Sequence, residues 1–204
     1  MRPVTYHQRM AEQKRMAIIE AATRLFLESG YGGASLAKIA TAADVSKATL
    51  FKQFPTKAAL FEAIVTEYWK ESDGKTTFLS PGDLLAGLRT IGLRYVALLT
   101  RPGMADLFRI VIAEAPRFPE LGKTQFALGK MPFFQSVRHY LEAEEANGTV
   151  RMQDPELAAT QFLGMIADYV FWPRMLLIDW NPVEAANTRA VEQAALTMQA
   201  RYRI

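Results

Sequence analysis

The chain has 204 residues, half of them hydrophobic, with 24 Lys and Arg against 21 Asp and Glu for a formal charge of +3, and it has no cysteine. That length accommodates one large helical domain with a small one appended, and the missing cysteines exclude disulfides and thiolate metal sites, in keeping with a reducing cytoplasm. No uncharged apolar run reaches about 18 residues and the polar start, Met1–Lys14, carries Arg2, Arg9, Glu12 and Lys14, so neither a membrane span nor a secretory signal is expected.

Residues 1–9 read as a disordered arm. From about Met10 to Ser29, Ile18, Ala21, Ala22, Leu25 and Phe26 repeat at the spacing of one helical face, and Gly30 supplies a stop. This amphipathic helix braces the two short helices next in the chain. Ser35 is a good N-cap for the first of them, with Leu36, Ile39 and Ala40 on one side. Asp44 tolerates the left-handed backbone of a tight turn, and Ser46 caps the second, in which Val45, Leu50 and Phe54 turn inward. Lys47, Ala48, Thr49, Lys52 and Gln53 are small or polar. A helix with that outer edge enters a major groove without obstruction, so the pair predicts a helix-turn-helix. The charge agrees: residues 1–70 hold ten Lys and Arg against six Asp and Glu, and the rest hold fourteen against fifteen. A solvated basic face would explain the excess equally well by itself; beside a helix-turn-helix it reads as a phosphate-binding surface.

Pro55-Thr56 closes that unit and caps a fourth helix over about Lys57–Glu71, with Leu60, Phe61, Ile64, Val65 and Tyr68 inward. Lys57 falls in its first turn, where free amides and the helix dipole favour an anion. Ser72-Asp73-Gly74-Lys75 and Ser80-Pro81-Gly82-Asp83 are breakers. These elements divide the chain into an arm and helix-turn-helix over 1–55, a connecting helix over 56–75, and a second domain over 76–204.

In that second domain everything reads as helix. Asp83–Leu99 comes first, then a helix opened by Pro102 through about Ala115 with Met104, Leu107, Phe108, Val111 and Ile112 inward. Phe118-Pro119-Glu120-Leu121 forms a corner, and a long helix runs from about Gly122 to Ala146, bent at Pro132. Asn147-Gly148 is a turn, Asp154-Pro155-Glu156 starts a helix over Pro155–Met175, and the last helix spans Pro182–Ile204. The first of these two is apolar around its circumference. The second offers small residues, Ala186, Ala190, Ala194 and Ala195, that permit close packing.

Gly30-Tyr31, Ser35, Ile39-Ala40, Val45-Ser46-Lys47, Leu50-Phe51, Phe54 and Lys57-Ala58-Ala59-Leu60-Phe61 together resemble the DNA-binding region of TetR-family transcriptional repressors over about residues 12–65. Asp44 stands where that family usually has Gly, Ala48 where Gly is frequent, and Phe51 where Tyr is common. Arg109–Leu121 resembles the AefR-like class of C-terminal domains. The resemblance implies an all-α protein: a three-helix DNA-binding domain followed by a helical ligand-binding and dimerising domain. It also implies a homodimer through the last two helices, paired with their copies in a four-helix bundle.

For double-stranded DNA the candidate residues are Ser35, Lys38, Ser46, Lys47, Ala48, Thr49, Phe51, Lys52 and Lys57. Lys47 and Thr49 are expected at base edges, and Ser35, Ser46, Lys52 and Lys57 at phosphates. Phe51 either presses on a thymine methyl or sugar or packs beside Phe54. Ser35 and Ser46 are needed as caps with or without DNA. For a small-molecule effector the candidates are the soft and flat side chains Met104, Phe108, Phe126, Met131, Phe134, Tyr140, Phe162, Met165, Tyr169 and Trp172, any one of which is equally at home in a plain core. Arg138, His139 and Asp168 are possible polar anchors, each also readable as a surface or satisfied interior group. Two histidines, His7 and His139, are too few and too distant for a metal cluster, and neither metal nor cofactor is expected. The expected action is release of a palindromic operator when an apolar effector shifts the population of the fourth helix. An enzyme would need a nucleophile-base pair, a carboxylate dyad or a phosphate loop, and none is in place. A DNA-coating protein and an activator are the remaining alternatives.

Overall fold

The computed structural model describes residues 5–70, 80–180 and 182–204. Arg2, Glu71 and the breaker Ser72-Asp73-Gly74-Lys75 lie outside them. Two compact units form: one from residues 1–67 with Asp106–Leu128, the other from Tyr68–Ala105 with Gly129–Ile204. Among the described residues all extended regular structure is helical, apart from an isolated antiparallel bridge between Val150 and Arg203. No helix there is long and apolar enough to cross a membrane.

The first unit is built on α1 (Tyr6–Gly33), which starts earlier than its apolar periodicity predicts. Thr5 and Gln8 form a reciprocal capping box: the Thr5 hydroxyl accepts from the Gln8 amide at 3.3 Å, and the Gln8 side chain accepts from the Thr5 amide at 2.8 Å. The stretch expected as a disordered arm is thus helical from Tyr6 onward. Of the predicted stripe, Ile18 and Ala22 are fully covered and Ala21 and Phe26 nearly so, together with Ile19, while Leu25 is half-buried. At Gly30 the backbone leaves helical geometry (φ 71°, ψ 161°), and a last turn continues through Gly33. α2 (Leu36–Ala42) and α3 (Lys47–Gln53) come next, each opened by the predicted serine. Asp44 between them has φ 52°, the left-handed geometry expected of it. α4 (Lys57–Trp69) buries Leu60, Phe61, Ile64 and Val65, while Tyr68 is half-buried.

The same unit takes in most of α6 (Met104–Glu114) and all of α7 (Pro119–Thr124). The inward face of α6 differs from expectation. Leu107, Ile110 and Val111 are buried, whereas Ile112 is 55% exposed and Phe108 half-buried. The run Ile110-Val111-Ile112 is apolar in three successive positions, so periodicity alone did not fix its register. The corner at Phe118–Leu121 is the start of α7, with Pro119 in its first turn. The break expected at Pro132 lies just before it, as a π-helical turn over Gln125–Lys130. Proline has no amide to bond the Leu128 carbonyl one turn back, and the wider turn absorbs that loss.

In the second unit α5 (Leu84–Leu99), α9 (Pro155–Val170) and α11 (Glu184–Tyr202) pack against one another, and α8 (Met131–Ala146) packs on α9. Leu88, Phe162, Ile166 and Ala195 are fully buried at their centre, the three larger side chains contributing roughly 1.5–3 kcal/mol apiece. Gly92 lets α5 approach α11: a side-chain carbon there would lie 2.5 Å from Val191. The helix expected over Pro155–Met175 stops at Val170: Pro173 has no amide to bond the Tyr169 carbonyl one turn back, and the backbone departs from ideal helical geometry at Phe171 (φ −115°, ψ −47°). A short α10 (Trp172–Leu176) takes over. α11 starts at Glu184, two residues later than Pro182, and at its last residue the Tyr202 carbonyl accepts from the Arg151 amide at 2.9 Å. The one charged side chain in the core among the described residues, Glu144, accepts hydrogen bonds from the Gly82 amide at 3.0 Å and from the Tyr140 and Thr149 hydroxyls.

Candidate nucleic-acid interface

α3 is held from behind and open in front. Leu50 is fully buried and Phe54, just past the helix, is 2% exposed, while Lys47, Ala48, Phe51 and Lys52 are exposed and Thr49 half-buried. The Ser46 hydroxyl accepts from the Thr49 amide at 3.0 Å and lies 2.8 Å from the Thr49 hydroxyl, so the two side chains fix each other at the helix entrance. Ser35 accepts from the Lys38 amide at 3.2 Å at the start of α2, and both residues are exposed. Seven of the nine DNA candidates, Ser35, Lys38, Ser46, Lys47, Ala48, Phe51 and Lys52, therefore lie on exposed positions of α2, α3 and their caps. Phe51 stands 48% exposed, outside the core that takes Phe54.

Lys57 is placed differently. Its ammonium donates to the carbonyls of Tyr31 at 2.6 Å and Ala34 at 3.1 Å, with that of Gly32 at 3.5 Å, and lies 4.5 Å over the Tyr31 ring. Burial pulls its pKa below the ordinary lysine value, and the Glu114 carboxylate works against that pull. The ammonium thus ties the N-terminus of α4 to the carbonyl end of α1, a contact that its first-turn position did not announce. Phe118 meets the other face of this joint, its ring edge-on to Tyr31 at 5.1 Å. Arg15 of α1 stacks over Phe54 at 4.9 Å, just behind α3. Sequence inspection missed Arg15, Glu114 and Phe118 in these roles. The run Gly30-Tyr31-Gly32-Gly33, which ends a helix and frees its carbonyls, was the one available signal.

The effector candidates divide between the two units. Phe108 and Phe126 belong to the first unit, and Phe126 is 54% exposed. Met104, Met131, Phe134, Tyr140, Phe162, Met165, Tyr169 and Trp172 belong to the second. Met104 and Phe162 are fully buried, Phe134 and Tyr140 nearly so, and Met131 is half-buried. Met165, Tyr169 and Trp172 stand on the open side of α9 and α10. Tyr140 directs its hydroxyl to Glu144, with the Asp83 carbonyl at 3.2 Å. Arg138 pairs with Glu142 at 3.4 Å and lies beside His139, while Asp168 is exposed. An open cavity of about 520 Å³ is lined by Tyr169, Ala185, Ala186, Arg189, Ala190 and Gln193, on the α9 and α11 side of the second unit.

Comparison with known proteins bears on both parts of the chain. Residues 18–64 match the family profile described as bacterial regulatory proteins, tetR family, and residues 86–204 match the AefR-like transcriptional repressor C-terminal domain. A TetR-family transcriptional regulator from Mesorhizobium loti has a similar solved structure, with a TM-score of 0.79 at 28% identity over 95% of this chain and 98% of that one. The flavonoid-responsive regulator FrrA is similar with a TM-score of 0.72, also at 28% identity, over 94% and 98%. The uncharacterized HTH-type transcriptional regulator YvkB of Bacillus subtilis is 30% identical over 104 residues, 51% of this chain and 53% of YvkB, so the match spans about half the length of that relative.

Proposed function

From a chain that belongs to the TetR family, and is therefore a DNA-binding transcriptional regulator and not an enzyme, we infer a ligand-responsive repressor that binds a palindromic operator as a homodimer. The observation that carries this reading is α3 itself: a short helix anchored by Leu50 and Phe54, with Lys47, Ala48, Phe51 and Lys52 facing outward. In this reading Lys47 and Thr49 meet base edges. Ser35, Lys38, Ser46 and Lys52 hold phosphates, and Lys57 secures the reading head from behind.

Homodimerisation through the last two helices is supported by the apolar residues left open there, Leu157, Met165, Tyr169 and Trp172 on α9 and α10 and Leu196 on α11. Two recognition helices about one turn of B-DNA apart, roughly 34–36 Å, then read the two halves of a palindrome. Residues 1–55 act as the reading head, 56–75 as the connecting helix, and 76–204 as the effector and dimerisation domain. Asp106–Leu128 lies by sequence in the effector domain yet packs in the same compact unit as α3. That placement supports a route by which a ligand alters the head. The effector class is taken from FrrA, whose name states a flavonoid response: a flat, hydroxylated aromatic molecule suits the aromatic and methionine side chains of the second domain.

Selection of bound duplexes from a random pool tests the reading. The expected product is a symmetric site with half-sites about one helical turn apart, released by a flavonoid. Equal affinity for every duplex at one salt concentration would leave a DNA-coating protein in its place.

A further inference from the structure

We propose that α9 and α11 of two copies of this chain meet in a defined register, with Leu196 of one protomer seated on Gly164 of its partner and Arg189 of one paired to Asp168 of the other; the proposal rests on the homodimer reading and names the contacts that make it. A glycine inside a helix loosens it relative to alanine, so each one raises the question of what needs the space. The other helical glycines of the second unit are answered within the chain. A side-chain carbon at Gly87 would collide with the Tyr140 hydroxyl, and one at Gly92 or Gly129 would lie 2.5 Å from Val191 or Trp69. Gly164, inside α9, is exposed, and a side-chain carbon there would meet nothing within 4 Å. The same outward side of α9 carries Leu157, 50% exposed two turns earlier, and the exposed Asp168 one turn later.

The register follows from how α9 and α11 lie side by side. They run antiparallel: the Tyr202 hydroxyl donates to the Gln161 side chain at 3.0 Å near one end, and Tyr169 and Ala190 line one open cavity near the other. Between those two points Gly164 lies level with Leu196, and Asp168 with Arg189, each within one helical turn. A two-fold axis running along the helices keeps these levels, so the outward side of α9 meets the partner's α11 in the same register, twice over. Leu196 is an apolar side chain left 38% exposed, and the missing side chain at Gly164 lets it approach the facing helix closely. Asp168 and Arg189 are opposite in sign and exposed, and neither has a hydrogen-bond or ion-pair partner among the described residues, whereas the neighbouring Glu192 is held by Arg89 at 2.6 Å. The occupant these features fit is a second copy. One surface carries both the gap and the side chain that fills it, and both members of the charge pair, which is the self-complementarity a two-fold contact requires.

The test is sedimentation equilibrium of the full chain at low salt, where exposed charges are least screened. Asp168→Arg and Arg189→Asp are each expected to weaken the dimer by on the order of tenfold, because each sets like charges opposite one another at both copies of the contact. Mixed in equal amounts, the two variants are expected to recover a dimer of wild-type strength. The introduced arginine of one chain then meets the introduced aspartate of the other, and the native pair forms at the second contact. A pair closed within one chain cannot be repaired by mixing, so a mixture that stays dissociated overturns the pairing. Gly164→Leu is expected to keep the helical circular dichroism of the wild type, since the space is open in the single chain, and to weaken the dimer by on the order of tenfold or more. If Gly164→Leu does not fold, Gly164→Ala decides: facing only water it strengthens the helix and leaves the dimer as it was, whereas under Leu196 it weakens the dimer. A Gly164 variant that folds and dimerises as the wild type does overturns the seat for Leu196. A wild type that sediments as a monomer overturns the homodimer reading itself, a failure distinct from that of a dimer indifferent to all these substitutions, which overturns the register alone.

Discussion

The Lys57 ammonium lies 2.6 Å from the Tyr31 carbonyl oxygen and 4.5 Å from the centre of the Tyr31 ring, so one residue holds the cation by both its backbone and its side chain. The carbonyls at the end of α1 would otherwise have no donor from within their own helix. Lysine answers that need from α4, and the end of α1 is thereby locked to α4.

Lys57→Met is expected to destabilise the fold by about 1–3 kcal/mol, because it leaves part-buried carbonyls without their charged donor. Chemical denaturation followed by far-ultraviolet circular dichroism measures this. The salt dependence of operator binding separates the tie from a phosphate contact. Loss of one phosphate contact lowers the slope of log affinity against log salt by about 0.9. Lys57→Met is expected to leave that slope unchanged.

Gly30 stands in the backbone region that only glycine enters readily, and a side-chain carbon there would lie 2.6 Å from a Glu114 carboxylate oxygen. Gly30→Ala is therefore expected to lower the unfolding temperature through two causes, backbone strain and displacement of Glu114. A double-mutant cycle with Glu114→Ala separates them. The carboxylate's share vanishes in the double variant, and the strain, of order 1–3 kcal/mol, remains. Strict additivity of the two substitutions would show that Glu114 does not press on this site.

Sequence legibility tracked the range of the interaction. The Ser35 and Ser46 caps, the left-handed Asp44 and the burial of Leu50 are written within a few residues of one another, and the structure places them as the pattern predicts. The start of α1 was missed although it is equally local, since its capping box closes with Gln8, in a stretch too polar to show an apolar stripe. Ile110-Val111-Ile112 supplied three candidates for one inward face, and only packing chose among them. Lys57 meets its acceptors across more than twenty positions of chain. The burial of Gln125 was not legible, because glutamine in a helical stretch ordinarily faces water. Nothing in the linear pattern announces that Asp106–Leu128 folds into the same unit as the reading head.

Alkaline pH is expected to weaken the fold through buried tyrosines. Burial raises Tyr95 from the ordinary value near 10 to about 12, and raises Tyr31 and Tyr140 in the same direction, the latter also through the Glu144 carboxylate beside its hydroxyl. Between about pH 10 and 12 the unfolded chain loses the Tyr95 proton while the folded chain keeps it. The folded state then holds more protons, so stability falls as pH rises through that window, by up to about 1.4 kcal/mol per pH unit for one such group. Denaturant midpoints taken across the window measure the slope. Tyr95→Phe is expected to flatten it, and an unchanged slope would remove Tyr95 as a source.

The outward edge of α3 makes two kinds of contact that one pair of variants distinguishes. Lys52 is exposed in the helix's last turn, where a phosphate is the expected partner, whereas Lys47 opens the helix beside the interlocked Ser46 and Thr49 hydroxyls. Lys52→Ala is expected to weaken binding to operator and random duplex alike and to reduce the salt slope by about 0.9 for each head engaged. Lys47→Ala with Thr49→Ala is expected to weaken operator binding by on the order of tenfold or more while leaving random duplex closer to unchanged, because base contacts discriminate and phosphate contacts position. Competition titrations of both duplexes at several salt concentrations give the slopes and the ratio together. An undiminished ratio in the double variant would mean that the sequence is read elsewhere than at the entrance of α3, and the orientation assigned to this helix in the groove would have to be abandoned.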